Sequence, residues 1–174
     1  MASEYAEPHS ADLDSIAKAF GLVVINWGNA EQSLDMLIAL LWQSFPTRAY
    51  SRKIPMMLAP KLEFGRKAFA AVDALRPFQQ EAESVFAEFD RLSNLRHDLI
   101  HGAVASLAPV DGHFVLNRFD IHDGFHHVRE VRIPVAAYPH LVRDLVNLGG
   151  NAYKVAAKVF DLAKTLDEKV EDEL

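Results

Sequence analysis

Apolar residues recur along the first third of the chain at Ile16, Phe20, Val23, Trp27, Ala30, Leu34, Leu37 and Leu41. The steps alternate four and three, the period of one helical face, and they predict a long first helix. Val24, Ile25, Ile38 and Leu40 widen the apolar surface beyond one stripe. A helix apolar on so much of its circumference is expected to lie centrally or to share a face with a partner chain. Pro46 ends it. Pro46, Pro55 and Pro60 make residues 46–60 a connection. A second helix is predicted from Lys61, with Leu62, Phe64, Phe69, Val72 and Leu75 on its apolar side and Arg76-Pro77 closing it. A third runs from about Phe78 to His101, and Gly102 stands where a left-handed residue would stop it.

The period then changes. Val104 to Val110, His113 to Ile121 and Phe125 to Ile133 read as strands, separated by Asp111-Gly112 and Asp123-Gly124, both hairpin turn signals. Pro134 and Pro139 end this segment, and a last helical region covers about Tyr138 to Lys169. Gly149-Gly150 inside it predicts a kink or break. The pattern as a whole predicts a mainly α protein. Four to five helices form a bundle, with a small antiparallel β-hairpin or three-stranded meander inserted at about 103–133. Residues 1–10 are small and polar and are expected to be flexible, leaving 11–170 as a single domain.

Composition narrows the chemistry. Half of the 174 residues are hydrophobic and 24% are charged, which suits a globular chain with a sizeable core. There is no cysteine, so disulfides, thiolate nucleophiles and cysteine-based metal sites are excluded. Neither a signal peptide nor a membrane span is legible, and a cytoplasmic location is the expectation. The net charge of −6 argues against a broad, charge-driven nucleic-acid binder, although it leaves room for a small basic site.

The third helix carries such a site. At about 100° per residue, Val85, Phe89, Leu92, Leu99 and Ile100 fall within roughly 60° of Arg96. Arg96 is thus predicted near the middle of an apolar face, where a cation needs an acidic partner, water or a cleft. His97 and His101 lie on one flank, four residues apart. His101 occupies the last turn, where the helix dipole favours imidazolium, and an imidazole near neutrality can accept or donate a proton.

Arg96-His97-Asp98-Leu99-Ile100-His101, followed by Gly102, resembles the Arg-x4-His motif of the HEPN superfamily (higher eukaryotes and prokaryotes nucleotide-binding domain). The motif's place late in a central helix, behind a long first helix, suits the small prokaryotic members. The resemblance extends over about residues 12–168, and the segment at 103–133 is an addition to the bare helical fold. It implies a metal-independent endoribonuclease that needs no cofactor. The 2′-OH of RNA attacks the adjacent phosphorus to leave a cyclic phosphate and a 5′-OH. It further implies that His101 is general base or acid, that Arg96 holds the scissile phosphate, and that His97 orients the phosphate or assists proton transfer. Asn94, Asp98, Glu31 and Gly102 complete the supporting set. The resemblance implies a homodimer with two motifs facing one cleft, acting on RNA as the toxin of a defence or toxin–antitoxin pair and held in check by an antitoxin protein. The alternative is a non-catalytic HEPN-like dimeric module that binds a nucleotide, RNA or a partner protein.

Plainer readings stand beside these. Arg96 could form a buried structural ion pair, with Glu31 as its partner. His101 and Gly102 could simply cap a helix. The spacing of His97 and His101 also suits two metal ligands, but no His-Glu-x-x-His pattern accompanies it, and no metal is assigned. His122, His126 and His127 cluster around a turn and could bind metal, sense pH or form a polar hairpin tip. Trp27, Trp42 and Phe45 read as core, and Glu81, Glu83, Asp167 and Glu168 as solvated faces. Arg48, Arg52, Lys53 and Arg91 are candidates for focusing positive charge near the motif. There is no glycine-rich phosphate loop, serine nucleophile elbow or paired-carboxylate motif.

Overall fold

The computed structural model describes residues 10–123 and 125–172, with the side chains of 10–13, 122 and 169–172 left aside. The expectations for the N-terminal residues and for the extreme acidic end lie outside that range. In chain order come α1 (Ser10–Ser44), α2 (Leu58–Ala71), α3 (Gln79–His101), β1 (Ala103–Val104), β2 (His113–His122), β3 (Phe125–Pro134) and α4 (Tyr138–Asp172). Two 3-10 turns, Asp73–Phe78 and Val135–Ala137, join α2 to α3 and β3 to α4. The protein is mainly helical with a three-stranded antiparallel meander, as the pattern predicts. Among the described residues, no helix is long and apolar enough to cross a membrane.

The chain divides into two compact units whose boundaries fall inside the long helices. One holds α1 up to Asn26 together with Ser93–Asp144; the other holds Trp27–Leu92 together with α4 from Leu145 onward.

The second unit is an apolar helical assembly. Trp27, Leu34, Leu37 and Leu41 of the predicted α1 stripe are buried, with Phe69 of α2, Phe86 and Phe89 of α3, and Leu145 and Val155 of α4. Trp27 meets Phe89 edge-on, and Phe69 meets Phe86 in the same way. Such pairs add to the area they bury. Trp42 is half-buried, its indole nitrogen donating to the Ser51 carbonyl at 3.1 Å.

Several boundaries differ from the sequence pattern. α2 begins at Leu58, because Pro60 fits a first turn, where helix N–H groups have no intrahelical acceptor. It ends at Ala71, since Val72 turns to extended backbone and the 3-10 turn presents buried Leu75 instead. The helix α4 runs unbroken through Gly149-Gly150. A side chain at Gly149 would already touch the Ala30 backbone, at 3.5 Å, so close helix packing offsets the poor propensity. Glu81 and Glu83 are not merely solvated, since they pair with Lys158 and Arg66.

The first unit is built around the sheet. β2 pairs with β3 along ten positions, from His113 opposite Pro134 to His122 opposite Phe125, and β1 adds two residues on the other edge of β2. Asp111 and Gly112 both have positive φ, 49° and 75°, the backbone of a two-residue primed hairpin turn. The strand expected over 104–110 shrinks to β1 and a single bridge at Val110. Pro109 cannot donate to a ladder, and the Ser106 hydroxyl donates locally to the Ala108 carbonyl. Phe114 and Leu116 face the buried side, where the Phe114 ring meets Tyr138 at 5.0 Å and Phe20 at 6.0 Å.

Candidate functional site

The last two turns of α3 place the predicted site in the first unit. Leu92 and Leu99 are buried and anchor the helix, while Arg96 between them is half-buried. Ile100 does not share that face as predicted; it is 38% exposed, so the buried stripe is narrower at this end. His97 and His101 are exposed on one flank, one helical turn apart, and their ring centroids stand 4.6 Å from each other. Asn94 is exposed one turn before Asp98.

Gly102 ends α3, but not as a left-handed cap: its φ is not positive. Its role is close approach. Its N–H donates to the Asp98 carbonyl at 2.8 Å, and a Cβ would stand 2.5 Å from that oxygen and 3.1 Å from the Leu116 side chain. No other residue type lets the chain turn this tightly from α3 into β1 against β2.

The sheet brings a second set of charges to Asp98. Strand alternation puts Arg118 and Asp120 on the same face as Phe114 and Leu116, and register sets Arg118 opposite Arg129 of β3. Like charges directly opposite on a ladder repel. Two carboxylates reverse that here. The Arg129 guanidinium donates to Asp98 at 2.8 Å and to Asp120 at 3.2 Å. The Arg118 Nε stands 3.5 Å from Asp98 and 3.7 Å from Asp120. Asp98 and Arg118 are largely buried, with side chains 16% and 12% exposed, so their charges act at short range with little water between. This quartet ties the hairpin to the motif helix.

His97 feels the cluster directly. Partial desolvation holds its imidazole below the usual histidine value, with Arg118 and then His101 acting the same way; Asp98 works in opposition and Arg96 adds a little. The neutral imidazole is thereby favoured at His97. Arg118 itself was not among the residues singled out from the sequence, and neither were Asp120 and Arg129.

Glu31 is half-buried and belongs to the second unit. Arg48, Arg52, Lys53 and Arg91 also belong to the second unit. There Arg48 stacks on Trp42 at 4.4 Å and Arg91 pairs with Glu88 at 2.5 Å. Register places His126 opposite Ile121 and His127 opposite Asp120, so these neighbours project from opposite faces of the hairpin. Among the described residues, no three His, Asp or Glu side chains come together as a metal site.

No protein-family model, no curated protein and no solved structure matches the chain.

Proposed function

We propose that the protein is a metal-independent endoribonuclease of HEPN type, working through Arg96, His97 and His101. The observation that carries this reading is the pair of exposed imidazoles 4.6 Å apart on the turn that also bears Arg96. Transesterification of RNA requires one group to take the 2′-OH proton and another to protonate the departing 5′ oxygen, with a cation at the phosphate. A bond forms between the 2′ oxygen and phosphorus, and the bond from phosphorus to the 5′ oxygen breaks. The environment of His97 favours its neutral form and suits it to the base role. His101, in the last turn of α3, is placed to protonate the departing oxygen. Arg96 carries the charge that holds the phosphate. Asp98 is engaged by Arg118 and Arg129, so its carboxylate repels an incoming phosphate less than a free one would.

The apolar surface of α1 supports a second copy as partner. Val24 and Ile25, adjacent on α1, remain 50% and 61% exposed and offer it an apolar contact. Action on RNA as a toxin restrained by an antitoxin belongs to the same reading and rests on the motif alone. The net charge of −6 favours the other reading, a dimeric module that binds nucleotide, RNA or a partner protein without cleaving.

The deciding experiment incubates a labelled structured RNA with EDTA and with the parent, Arg96→Ala and His101→Ala proteins. Cleavage by the parent alone, leaving cyclic-phosphate ends, is the expected result. Three equally inert and equally folded proteins would overturn the nuclease in favour of the binding module.

A further inference from the structure

The outer strand of the meander is open. The sheet order is β1-β2-β3, so among the described residues β3 has a neighbouring strand on one side only. Every residue from Phe125 to Glu130 is exposed.

Hydrogen bonds around the Asp111-Gly112 turn fix which backbone groups of β3 point outward. His113 exchanges two bonds with Val110, at 2.8 and 2.9 Å, and so turns its N–H and C=O away from β3. The Val135 N–H donates to the Gly112 carbonyl at 2.9 Å, in the same register as the ladder. Antiparallel bonding alternates along a strand. His127, Arg129 and Val131 therefore bond β2, and His126, Val128, Glu130 and Arg132 turn their N–H and C=O groups to the free edge. The turn and loop hydrogen bonds of the described residues do not engage them. An open edge is a template for another strand, and natural sheets blunt it with lysine, proline or a bulge. Before Pro134, β3 has none of these: its register against β2 is unbroken.

We propose that this edge is an interface with a second copy of the chain, the two β3 strands pairing antiparallel about a two-fold axis at Val128.

The side chains select both the partner and the register. With the axis at Val128, that residue faces itself, and His126 faces Glu130 of the second copy twice over. Each imidazole gains a carboxylate, which is a stabilising cross-strand pair. Glu130 and Arg132 already pair on their own strand at 2.6 Å, so they present little net charge to the newcomer. On the other face Phe125 meets Val131 of the second copy. His127 comes opposite Arg129, whose charge Asp98 and Asp120 offset. Phe119 of β2 lies opposite Val128, so these two residues and their counterparts form one apolar row across four strands. In the single chain they are 63% and 61% exposed. Three residue pairs exchange about six backbone hydrogen bonds. Neighbouring registers are worse. An axis at Arg129 sets two guanidinium groups together and His126 against Arg132. One at Glu130 sets two carboxylates together, and one at His127 sets Phe125 against Arg129. An unrelated extended peptide satisfies the backbone alone. The edge uses none of Arg96, His97, His101, Val24 and Ile25, so the proposal stands whether or not the chain cleaves RNA.

The chain has no cysteine, so one introduced thiol reports contact between copies only. Opposed residues that exchange hydrogen bonds stand about 5.5 Å apart at Cα, within disulfide reach. Phe119 is as exposed as Val128 but lies three strand spacings, about 14 Å, from its counterpart. Val128→Cys is expected to oxidise to a covalent dimer about tenfold faster than Phe119→Cys. Equal rates overturn the proposal. Fast oxidation of Val24→Cys with slow oxidation of Val128→Cys also overturns it, and leaves the second copy on α1. Independently, Val128→Pro removes a donor that β2 does not use, so the hairpin is kept. The parent is expected to rise above 19.5 kDa in sedimentation as its concentration increases, and Val128→Pro to show about half the parent's mass at the highest concentration. Circular dichroism checks folding, and Val128→Lys, which sets two cations on the axis, serves if the proline variant does not fold. A parent that stays at 19.5 kDa, or a folded variant with the parent's mass, overturns the proposal.

Discussion

The two units hold themselves together by different means. In the second, large side chains interlock: Phe69, Phe86 and Phe89 are fully buried, Arg66 and Glu83 pair at the rim, and Lys61 is buried against half-exposed Asp35. In the first, Arg118, Asp98 and Asp120 stand largely buried, with half-exposed Arg129 paired to both aspartates, against the sheet face that continues from Phe114 and Leu116. Apolar packing is tolerant of exact chemistry, whereas a half-buried ionic cluster fails when any one member is lost. The unit that carries the candidate site is therefore the more fragile to single polar changes, and the other is the more fragile to lost volume.

The largest effect that would break this contrast comes from Phe86→Ala. Truncating a fully buried aromatic is expected to cost about 3–5 kcal/mol in urea denaturation. A loss below about 1 kcal/mol would mean that the second unit is loosely packed. Next comes Asp98→Ala, which leaves Arg118 with Asp120 as its remaining partner and is expected to cost about 2 kcal/mol. If the same melt shows no loss, the quartet is ornamental and the hairpin is held by Phe114 and Leu116 alone. Tyr138→Phe runs in the opposite direction. Deleting an unpartnered buried hydroxyl is expected to raise stability by about 1 kcal/mol. A drop instead would reveal a hydrogen bond to water.

The smallest effect is in pH. The folded chain holds His97 below the ordinary histidine value of about 6.5, so the unfolded chain binds the extra proton first. Its contribution to stability is complete above pH 6.5 and is lost as pH falls through the lower folded value. Thermal melts of the parent are thus expected to fall over that window, and His97→Gln should flatten the slope there. An unchanged slope would place the titrating group elsewhere. Arg118→Gln sharpens the same measurement, because removing that cation should move the His97 titration, followed by NMR, toward higher pH.

Much of this contrast was legible beforehand. The stripe from Ile16 to Leu41 is a statement about local geometry, and helical period alone puts those side chains on one face. Arg96 was noticed because it broke that period. Arg118 and Asp120 break a period too: they share the parity of Phe114 and Leu116, so the period-two reading held a signal that went unused. Arg129 is different. Its place opposite Arg118 depends on register across the second hairpin, and its ion pair with Asp98 spans 31 residues. Gly102 was singled out for the wrong reason, since a glycine can serve positive φ or close approach, and composition does not distinguish them.

By itself the sequence determined the helices, the turn at Asp111-Gly112, the absence of cysteine chemistry and the turn that carries Arg96, His97 and His101. Each of these follows from propensity and period within a few residues of chain. Only the tertiary structure decided the rest: that α4 passes unbroken through Gly149-Gly150, that Asp98 is taken up by two arginines of the sheet, and that the hydroxyl of Tyr138 is buried without a partner. These depend on which distant atoms fill the space around a residue, and the energy of a close contact or a buried charge is set by those neighbours.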